Sequence, residues 1–232
     1  MTASIMGIER LRDNVDGPGI RTLVLFNTCP LQCKYCLNKM MLESGIRKEF
    51  TARELYGILS IDDPYFELTE GGATFGGGEP ALQSRFIEEF HELAGGSWNI
   101  MLETSLNVQL RHIQRLAPIV KRFYVDVKDM DPGIYREYTG RDNSKVYSNL
   151  EWLVTNGYAS KVTARVPRIP EFNTEEDVAS SIRKLKESGI SDIETFEYIQ
   201  TRKRHSKDDI VLMGDLTPEG VEMIENARKR KM

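Results

Sequence analysis

Residues 20–36 read IRTLVLFNTCPLQCKYC, an apolar run followed at once by every cysteine of the chain. The run predicts a strand over Ile20 to Asn27, because short apolar stretches rich in branched side chains are typical of buried strands. Cys29, Cys33 and Cys36 come directly after it. We therefore expect an active-site loop here, since α/β enzymes build their sites at the carboxyl ends of strands.

The rest of the chain alternates apolar runs with amphipathic stretches. The further predicted strands are Ala73 to Gly76, Asn99 to Glu103, Arg122 to Val127, Lys161 to Pro167 and Asp192 to Tyr198. The predicted helices are Thr51 to Leu59, Gln83 to Ala94, Asn107 to Leu116, Ser144 to Thr155, Thr174 to Ser188 and Thr217 to Lys229. Strands separated by helices pair in parallel through right-handed crossovers, which predicts an α/β fold with parallel strands.

Domain organisation is expected to be simple. Neither a Pro/Ser-rich linker nor a tandem repeat interrupts the 232 residues, and a chain of this length can bury one large core. We expect a single domain over residues 1–232, with a core from about 8 to 200 and a C-terminal helix from about 217 to 229.

Charge and hydropathy exclude several classes of partner. The chain has 31 Lys and Arg against 35 Asp and Glu, a net charge of −4, so no global basic field attracts nucleic acid or anionic lipid. No apolar stretch approaches the roughly 20 residues that span a membrane, and the amino terminus lacks a signal-peptide pattern. We expect a cytoplasmic protein, a monomer, without a nucleic-acid or membrane partner.

The cysteines indicate a metal centre. Three thiols within eight residues cannot all be paired as disulfides, and three thiolates suit a four-iron cluster with one iron left free. Two alternatives remain open. The spacing could place three small side chains on one buried helix face, or the thiols could join a histidine in a zinc site. The chain's histidines are His91, His112 and His205.

Two motifs carry a resemblance to a known family. The spacing C-x3-C-x2-C, with Tyr35 before the last cysteine, resembles the signature of the radical S-adenosylmethionine (SAM) superfamily. The segment Asp16 to Thr22 resembles that of the glycyl-radical enzyme activating enzymes. The resemblance implies a partial (β/α)6 barrel of the TIM type, in agreement with six predicted units. It also implies a [4Fe-4S] cluster on Cys29, Cys33 and Cys36, with SAM on the free iron.

Further segments resemble the SAM-binding parts of that family. Gly77, Gly78 and Glu79 correspond to a Gly-Gly-Glu segment that meets the SAM amino group. Glycines allow a close backbone approach, and Glu79 offers a charge-assisted hydrogen bond to an ammonium. Arg165 corresponds to an arginine that reaches SAM, and a guanidinium suits a carboxylate.

The resemblance extends to the ends of two more predicted strands. Glu103, Thr104 and Asp126 are expected to contribute to a monovalent cation site, because their oxygens suit a hard ion. Asp126 and Lys128, in an Asp-x-Lys segment, and Tyr35, in the cysteine motif, complete the expected cofactor-binding residues.

The chain also departs from the family pattern. Gly76 stands where a serine is common, Leu37 where a histidine is frequent, and Ile199 where a Pro-Tyr-His sequence ends. The missing histidine leaves open how the adenosine end of SAM is held. No further cysteine is available for an auxiliary cluster.

These features predict an oxidoreductase that activates a glycyl-radical enzyme of the pyruvate formate-lyase type. Flavodoxin or ferredoxin is the expected reductant, and Arg202 to Arg204 form a candidate basic patch for it. One alternative is a radical SAM enzyme acting on a ribosomal peptide, a small molecule or the anaerobic ribonucleotide reductase. A second is a metal-binding or electron-transfer module without catalysis.

Overall fold

The computed structural model describes residues 1–198, which form one eight-stranded sheet flanked by helices. The strands are β1 (Thr2–Asp13), β2 (Ile20–Phe26), β3 (Lys48–Thr51), β4 (Gly72–Gly77), β5 (Ile100–Thr104), β6 (Val120–Asp126), β7 (Val162–Arg168) and β8 (Ile193–Glu197). The helices are α1 (Lys39–Ser44), α2 (Ala52–Leu59), α3 (Asp63–Thr69), α4 (Ser84–Leu93), α5 (Leu110–Leu116), α6 (Pro132–Thr139), α7 (Ser144–Thr155) and α8 (Glu175–Glu187).

All six predicted strands are present and parallel. They follow one another in the order β2-β4-β5-β6-β7-β8. Their carboxyl ends therefore lie at one rim of the sheet. Within residues 1–198 the sheet is not closed, because β3 and β8 form its two edges. The expected partial barrel is confirmed.

Two strands were not predicted, and they make the sheet mixed rather than wholly parallel. β1 pairs antiparallel with β2, and β3 pairs antiparallel with β1. Apolar and polar residues do not alternate regularly along β1, and its register with β2 shifts at two points. Such irregularities interrupt the two-residue period by which strands are recognised.

Five of the predicted helices are present, as α2, α4, α5, α7 and α8. Thr51 and Thr174 both form the expected capping boxes, with Glu54 and Asp177. The helices α1, α3 and α6 were not predicted; each spans eight residues or fewer, a length over which a helical period is weak. The predicted helix over Thr217 to Lys229 lies outside the described residues, so the single-domain expectation stays a prediction.

Aromatic side chains join the sheet to its helices. The ring of Phe75 on β4 lies 5.7 Å from that of Phe26 on β2 and 5.3 Å from that of Phe90 on α4. All three side chains are fully buried. Each such ring buries about 150–250 Å² and dominates local packing energy. No helix within residues 1–198 is both long and apolar enough to cross a bilayer.

Arg21 is the largest fully buried side chain among residues 1–198. Its guanidinium donates to Thr74 Oγ1 at 2.6 Å, to the carbonyl of Ala73 at 2.9 Å and to the carbonyl of Asn99 at 2.5 Å. Thr74 Oγ1 in turn donates to the carbonyl of Asp16 at 2.9 Å. Burial lowers the pKa of Arg21 to about 10. This side chain therefore ties β2, β4 and the β1–β2 turn together.

The Asp16 to Thr22 motif thus has a structural role in this fold. Gly17 has φ +122°, and a Cβ there would lie 2.3 Å from Met101 Sδ and 3.2 Å from Tyr124 Oη. The turn packs against β5 and β6 at a distance that only glycine permits.

We predict that Arg21→Met lowers the free energy of unfolding by about 3 kcal/mol or more, because buried carbonyls would lose their donors. Urea unfolding followed by circular dichroism measures the change. Arg53→Met is the control: Arg53 is exposed and forms no ion pair within residues 1–198, so its effect should stay within about 0.5 kcal/mol. Equal stability losses in the two variants would contradict this account.

Candidate active site

The three cysteines lie on an irregular loop directly after β2 and line one cavity of about 340 Å³. All three thiols are free, and none belongs to a buried residue. The alternative of a buried helix face is therefore wrong. Partial desolvation of its sulfur by the surrounding loop contributes most to the raised pKa of Cys29, about 12, and the nearby Cys33 and Cys36 thiols add to the rise.

The cysteine loop is fixed by backbone hydrogen bonds to the end of α6. Gln32 N donates to the carbonyl of Thr139 at 2.9 Å, and Lys34 N donates to the carbonyl of Tyr138 at 3.1 Å. Beyond the last cysteine, Asn38 Nδ2 donates to the carbonyl of Gly77 at 2.9 Å. The loop is thus attached on both sides of the cavity.

Tyr35 anchors the same loop from behind. Its hydroxyl donates to Glu171 Oε2 at 2.6 Å, and its ring lies 5.5 Å from Phe172 and 6.1 Å from Tyr138. Its carbonyl accepts a hydrogen bond from Tyr198 Oη. Tyr35 does not line the cavity, so it positions the loop.

The glycines at the end of β4 lie against the chain that leads into the cysteine loop. Gly78 N donates to the carbonyl of Phe26 at 2.8 Å, and a Cβ on Gly78 would lie 2.2 Å from the carbonyl oxygen of Thr28. Gly77 has φ +93°, and its Cβ would lie 2.8 Å from Phe26 N. Close approach of two backbones, rather than of a ligand alone, requires these glycines.

Glu79 connects the end of β4 to the end of β5. Its carboxylate accepts hydrogen bonds from Thr104 Oγ1 at 2.5 Å, Ser105 N at 2.9 Å, Ser105 Oγ at 2.6 Å and Ala81 N at 3.1 Å. The residue is 1% exposed and does not line the cavity. Burial raises the pKa of Glu79, and these hydrogen bonds oppose the rise.

Four charged side chains form the polar wall of the cavity. Arg165 donates from Nε to Asp126 Oδ1 at 2.8 Å and from Nη1 to Glu103 Oε1 at 2.9 Å. Lys128 Nζ donates to Asp126 Oδ2 at 3.0 Å. Burial disfavours the charge of Asp126, but Lys128 and Arg165 outweigh it and hold the pKa of Asp126 below its usual range. Asp126 therefore stays ionised near neutral pH.

The pKa of Glu103, the other carboxylate of the wall, shifts in the opposite direction. Burial raises this pKa, and the Arg165 guanidinium opposes that rise. Burial also opposes the charges of Arg165 and Lys128, but Asp126 overcomes it and raises both pKa values. Two cations and two carboxylates thus balance in one small volume.

The candidate cation oxygens are near one another but already engaged. Glu103 and Asp126 both form ion pairs with Arg165, and the Thr104 hydroxyl donates a hydrogen bond to Glu79. Across residues 1–198, no three His, Cys, Asp or Glu side chains converge on one metal-ion position. His112 instead bonds Ser84 Oγ through Nδ1 at 2.9 Å. His205, Ile199 and the patch Arg202 to Arg204 lie outside the described residues.

Seven cavity-lining residues received no role from the sequence: Leu31, Leu37, Asn38, Leu42, Ser105, Phe196 and Tyr198. Four of them lie inside or directly beside a motif and could have been found from it: Leu31, Leu37 and Asn38 at the cysteines, and Ser105 after Thr104. Leu42, Phe196 and Tyr198 reach the cavity only through the fold, as when β8 brings Phe196 to the cysteine loop.

We predict that Glu79→Gln lowers the free energy of unfolding by about 1–3 kcal/mol, because the amide nitrogen cannot accept a hydrogen bond and would face a backbone donor, Ala81 N or Ser105 N, whereas a carboxyl oxygen keeps acceptor capacity even when protonated. The raised pKa of Glu79 means that the folded state holds its proton more tightly. The advantage of the unmodified chain should therefore be largest at or below about pH 4.3, the unfolded value, and shrink as pH rises through the folded pKa.

Urea unfolding of both chains between acidic and neutral pH measures this advantage. Glu137→Gln, at an exposed position of α6, controls for the loss of a carboxylate. An advantage that grows with pH would contradict the assignment.

Comparisons with known proteins agree with this geometry. The family model of the radical SAM superfamily matches residues 23–185. The pyruvate formate-lyase-activating enzyme of Clostridium pasteurianum is 32% identical, with 83% of this chain and 78% of that protein covered. The choline trimethylamine-lyase activating enzyme of Oleidesulfovibrio alaskensis is 27% identical, with 70% and 71% covered.

Solved structures support the fold. Streptococcus suis SuiB bound to S-adenosylmethionine superimposes with a TM-score of 0.61 at 15% identity, over 78% of this chain and 41% of SuiB. The structure of anSMEcpe with bound AdoMet gives 0.55 at 19% identity, over 75% of this chain and 49% of that one. The chain thus spans less than half the length of either solved chain, and these likenesses concern the fold alone.

The family model covers most of the strands that build the cavity, and the Clostridium pasteurianum enzyme is similar over nearly the same span. The chain therefore belongs to the radical SAM superfamily and is an enzyme of the glycyl-radical enzyme activating type.

Proposed function

We propose that Cys29, Cys33 and Cys36 hold a [4Fe-4S] cluster and that the protein cleaves SAM there to activate a partner glycyl-radical enzyme. One observation carries this proposal: the three free thiols open into the same cavity as the glycine end of β4 and the charged wall. When bound, the cluster supplies one electron to SAM, which yields methionine and a 5′-deoxyadenosyl radical able to take hydrogen from a glycine Cα.

The cysteine loop is suited to a cluster with three protein ligands. Cluster binding requires thiolates. Burial raises the pKa of Cys33, and the charge of Lys128 opposes that rise. Lys128 therefore supports ionisation of a thiol on the cavity side of the loop.

The charged wall is suited to the amino-acid end of SAM, which carries one carboxylate and one ammonium. We propose that Arg165 and Lys128 bind the carboxylate and that Asp126 binds the ammonium, because these side chains line the cavity as paired opposite charges. Gly77 and Gly78 contribute backbone at the same place. When SAM binds, Arg165 would replace some of its hydrogen bonds to Asp126 and Glu103 with hydrogen bonds to the SAM carboxylate.

Glu79 and Tyr35 are proposed to act indirectly. Glu79 holds Thr104 and Ser105, which line the cavity, while Tyr35 holds the cysteine loop. In this proposal both residues contribute to the cofactor site by positioning the groups that contact SAM. Glu103, Thr104 and Asp126 remain the candidates for a monovalent cation.

The open edge of the sheet is suited to a polypeptide substrate. β8 is an edge strand, and Phe196 on it is 41% exposed and lines the cavity. A protein loop could approach the cavity from this side without crossing the sheet. This feature supports a protein glycine as the site of hydrogen abstraction. We also infer a cytoplasmic location, where free thiols persist.

Electron paramagnetic resonance tests the cofactor assignment. After anaerobic reconstitution and reduction with dithionite, we expect a [4Fe-4S]+ signal that changes on adding SAM, together with formation of 5′-deoxyadenosine. Cys33→Ala should lose both because two thiolates remain. Arg165→Gln should keep the cluster signal and lower SAM affinity at least about tenfold. Bound zinc, or a signal indifferent to SAM, would overturn the proposal.

Deuterium transfer tests the substrate. A pyruvate formate-lyase-type enzyme carrying Cα-deuterated glycine should transfer deuterium into 5′-deoxyadenosine and acquire a glycyl radical. The same enzyme with its radical-site glycine replaced by alanine is the matched control. Transfer from a precursor peptide, a small molecule or the anaerobic ribonucleotide reductase, and not from this partner, would favour the alternative function.

A further inference from the structure

Three arginines lie at the same rim of the sheet as the cysteine loop. Arg85 is in the first turn of α4, Arg111 is in the first turn of α5, and Arg141 is in the turn between α6 and α7. All three are exposed, and none forms an ion pair with another of residues 1–198. We call these residues the arginine rim.

Direct contacts place the arginine rim beside Cys29. Arg141 Nε donates to the carbonyl of Pro30 at 3.1 Å. Gln83, two residues before Arg85, donates from Nε2 to Thr28 Oγ1 at 3.3 Å. Cys29 lies between these two contacts in the chain and is the exposed cysteine of the three. Arg141 and Arg85 therefore flank the loop that carries Cys29, and Arg111 lies near Arg85 because its neighbour His112 bonds Ser84 Oγ.

Two arginines of the rim are close enough to act on one side chain. Burial lowers the pKa of His112, and the charges of Arg111, Arg115 and Arg85 lower it further. Arg115 is paired with Glu88 at 2.8 Å, whereas Arg85 and Arg111 form no ion pair within residues 1–198. The rim is thus a local group of positive charges in a chain whose net charge is −4.

The acidic neighbour of Arg141 forms no ion pair with it. Asp142 follows Arg141, but its carboxylate accepts a hydrogen bond from Ser144 N at 3.1 Å at the start of α7. A carboxylate there is stabilised by the helix amino terminus.

The cavity lining also includes exposed apolar side chains. Leu37 and Phe196 line the cavity and are 79% and 41% exposed. Exposed apolar side chains suit a protein loop, whereas the arginines near Cys29 suit an anionic partner. The residues around the cavity thus offer two chemically distinct surfaces.

We propose that the arginine rim is the docking surface for an acidic one-electron carrier protein, which reduces the cluster through its Cys29 side. This inference rests on the proposed function. The carrier is oxidised by one electron and the cluster is reduced from [4Fe-4S]2+ to [4Fe-4S]+, so no atom or proton has to be transferred. Charge complementarity accelerates encounter and makes association sensitive to ionic strength.

A charge-reversed variant tests the surface by binding. We expect R85E/R111E/R141E to lower affinity for flavodoxin or a [2Fe-2S] ferredoxin at least about tenfold at low salt. Calorimetry at two ionic strengths should also show that the salt dependence falls. Arg183→Glu, an exposed position on α8, should leave binding unchanged. If the triple variant misfolds by circular dichroism, R85Q/R111Q/R141Q replaces it, with a smaller loss expected.

Activity with two reductants separates this inference from the proposed function. The variant should form 5′-deoxyadenosine as fast as the unmodified enzyme with dithionite, and at least about tenfold more slowly with the protein carrier. Equal loss with both reductants would overturn a docking role. The docking role would also be overturned if the unmodified chain bound neither carrier protein. The same holds if it bound an RNA or DNA oligonucleotide more tightly than both carrier proteins. Failure of SAM cleavage with dithionite in the unmodified enzyme would refute the proposed function, while the affinities would still judge the surface.

Discussion

The close approach of β4 to β2 is the constraint on which the site depends. Parallel pairing continues beyond both strands, because Gly78 N donates to the carbonyl of Phe26 at 2.8 Å and Glu79 N to that of Thr28 at 2.6 Å. A side chain at Gly78 would collide with the Thr28 carbonyl. The first cysteine follows Thr28 directly. One pair of glycines thus sets where the cysteine loop begins and where Glu79 is buried.

Electrostatics then determines what the cavity can bind. Buried charges are tolerated only when paired and hydrogen-bonded, and here Arg165, Lys128, Glu103 and Asp126 satisfy one another. Such a wall is prearranged for a ligand end that carries both signs of charge, because incoming groups replace existing partners rather than meeting bare ions. It also explains why charges cluster in a cavity of only about 340 Å³.

An unclosed sheet gives the cavity two approaches. The β8 edge contributes Phe196 and Tyr198 beside the cysteines. On the other side, the starts of α4 and α5 bring arginines to the rim, because helices that follow parallel strands begin at the strands' carboxyl ends. In the proposed function, electron supply and substrate entry therefore use different surfaces.

The sequence by itself determined the six parallel strands, the longer helices within the described part and the three thiols, since each depends on spacing within a short stretch. It also identified Gly77, Gly78, Asp126, Lys128 and Arg165, which line the cavity with the cysteines. Only the tertiary structure decided that Glu79 bonds Thr104 and Ser105, that Arg165 spans two carboxylates, and that Tyr35 faces away from the cavity. The tertiary structure alone also revealed the antiparallel strands β1 and β3. These features join residues tens of positions apart, and a local period or motif contains no information about which distant partner a side chain will meet.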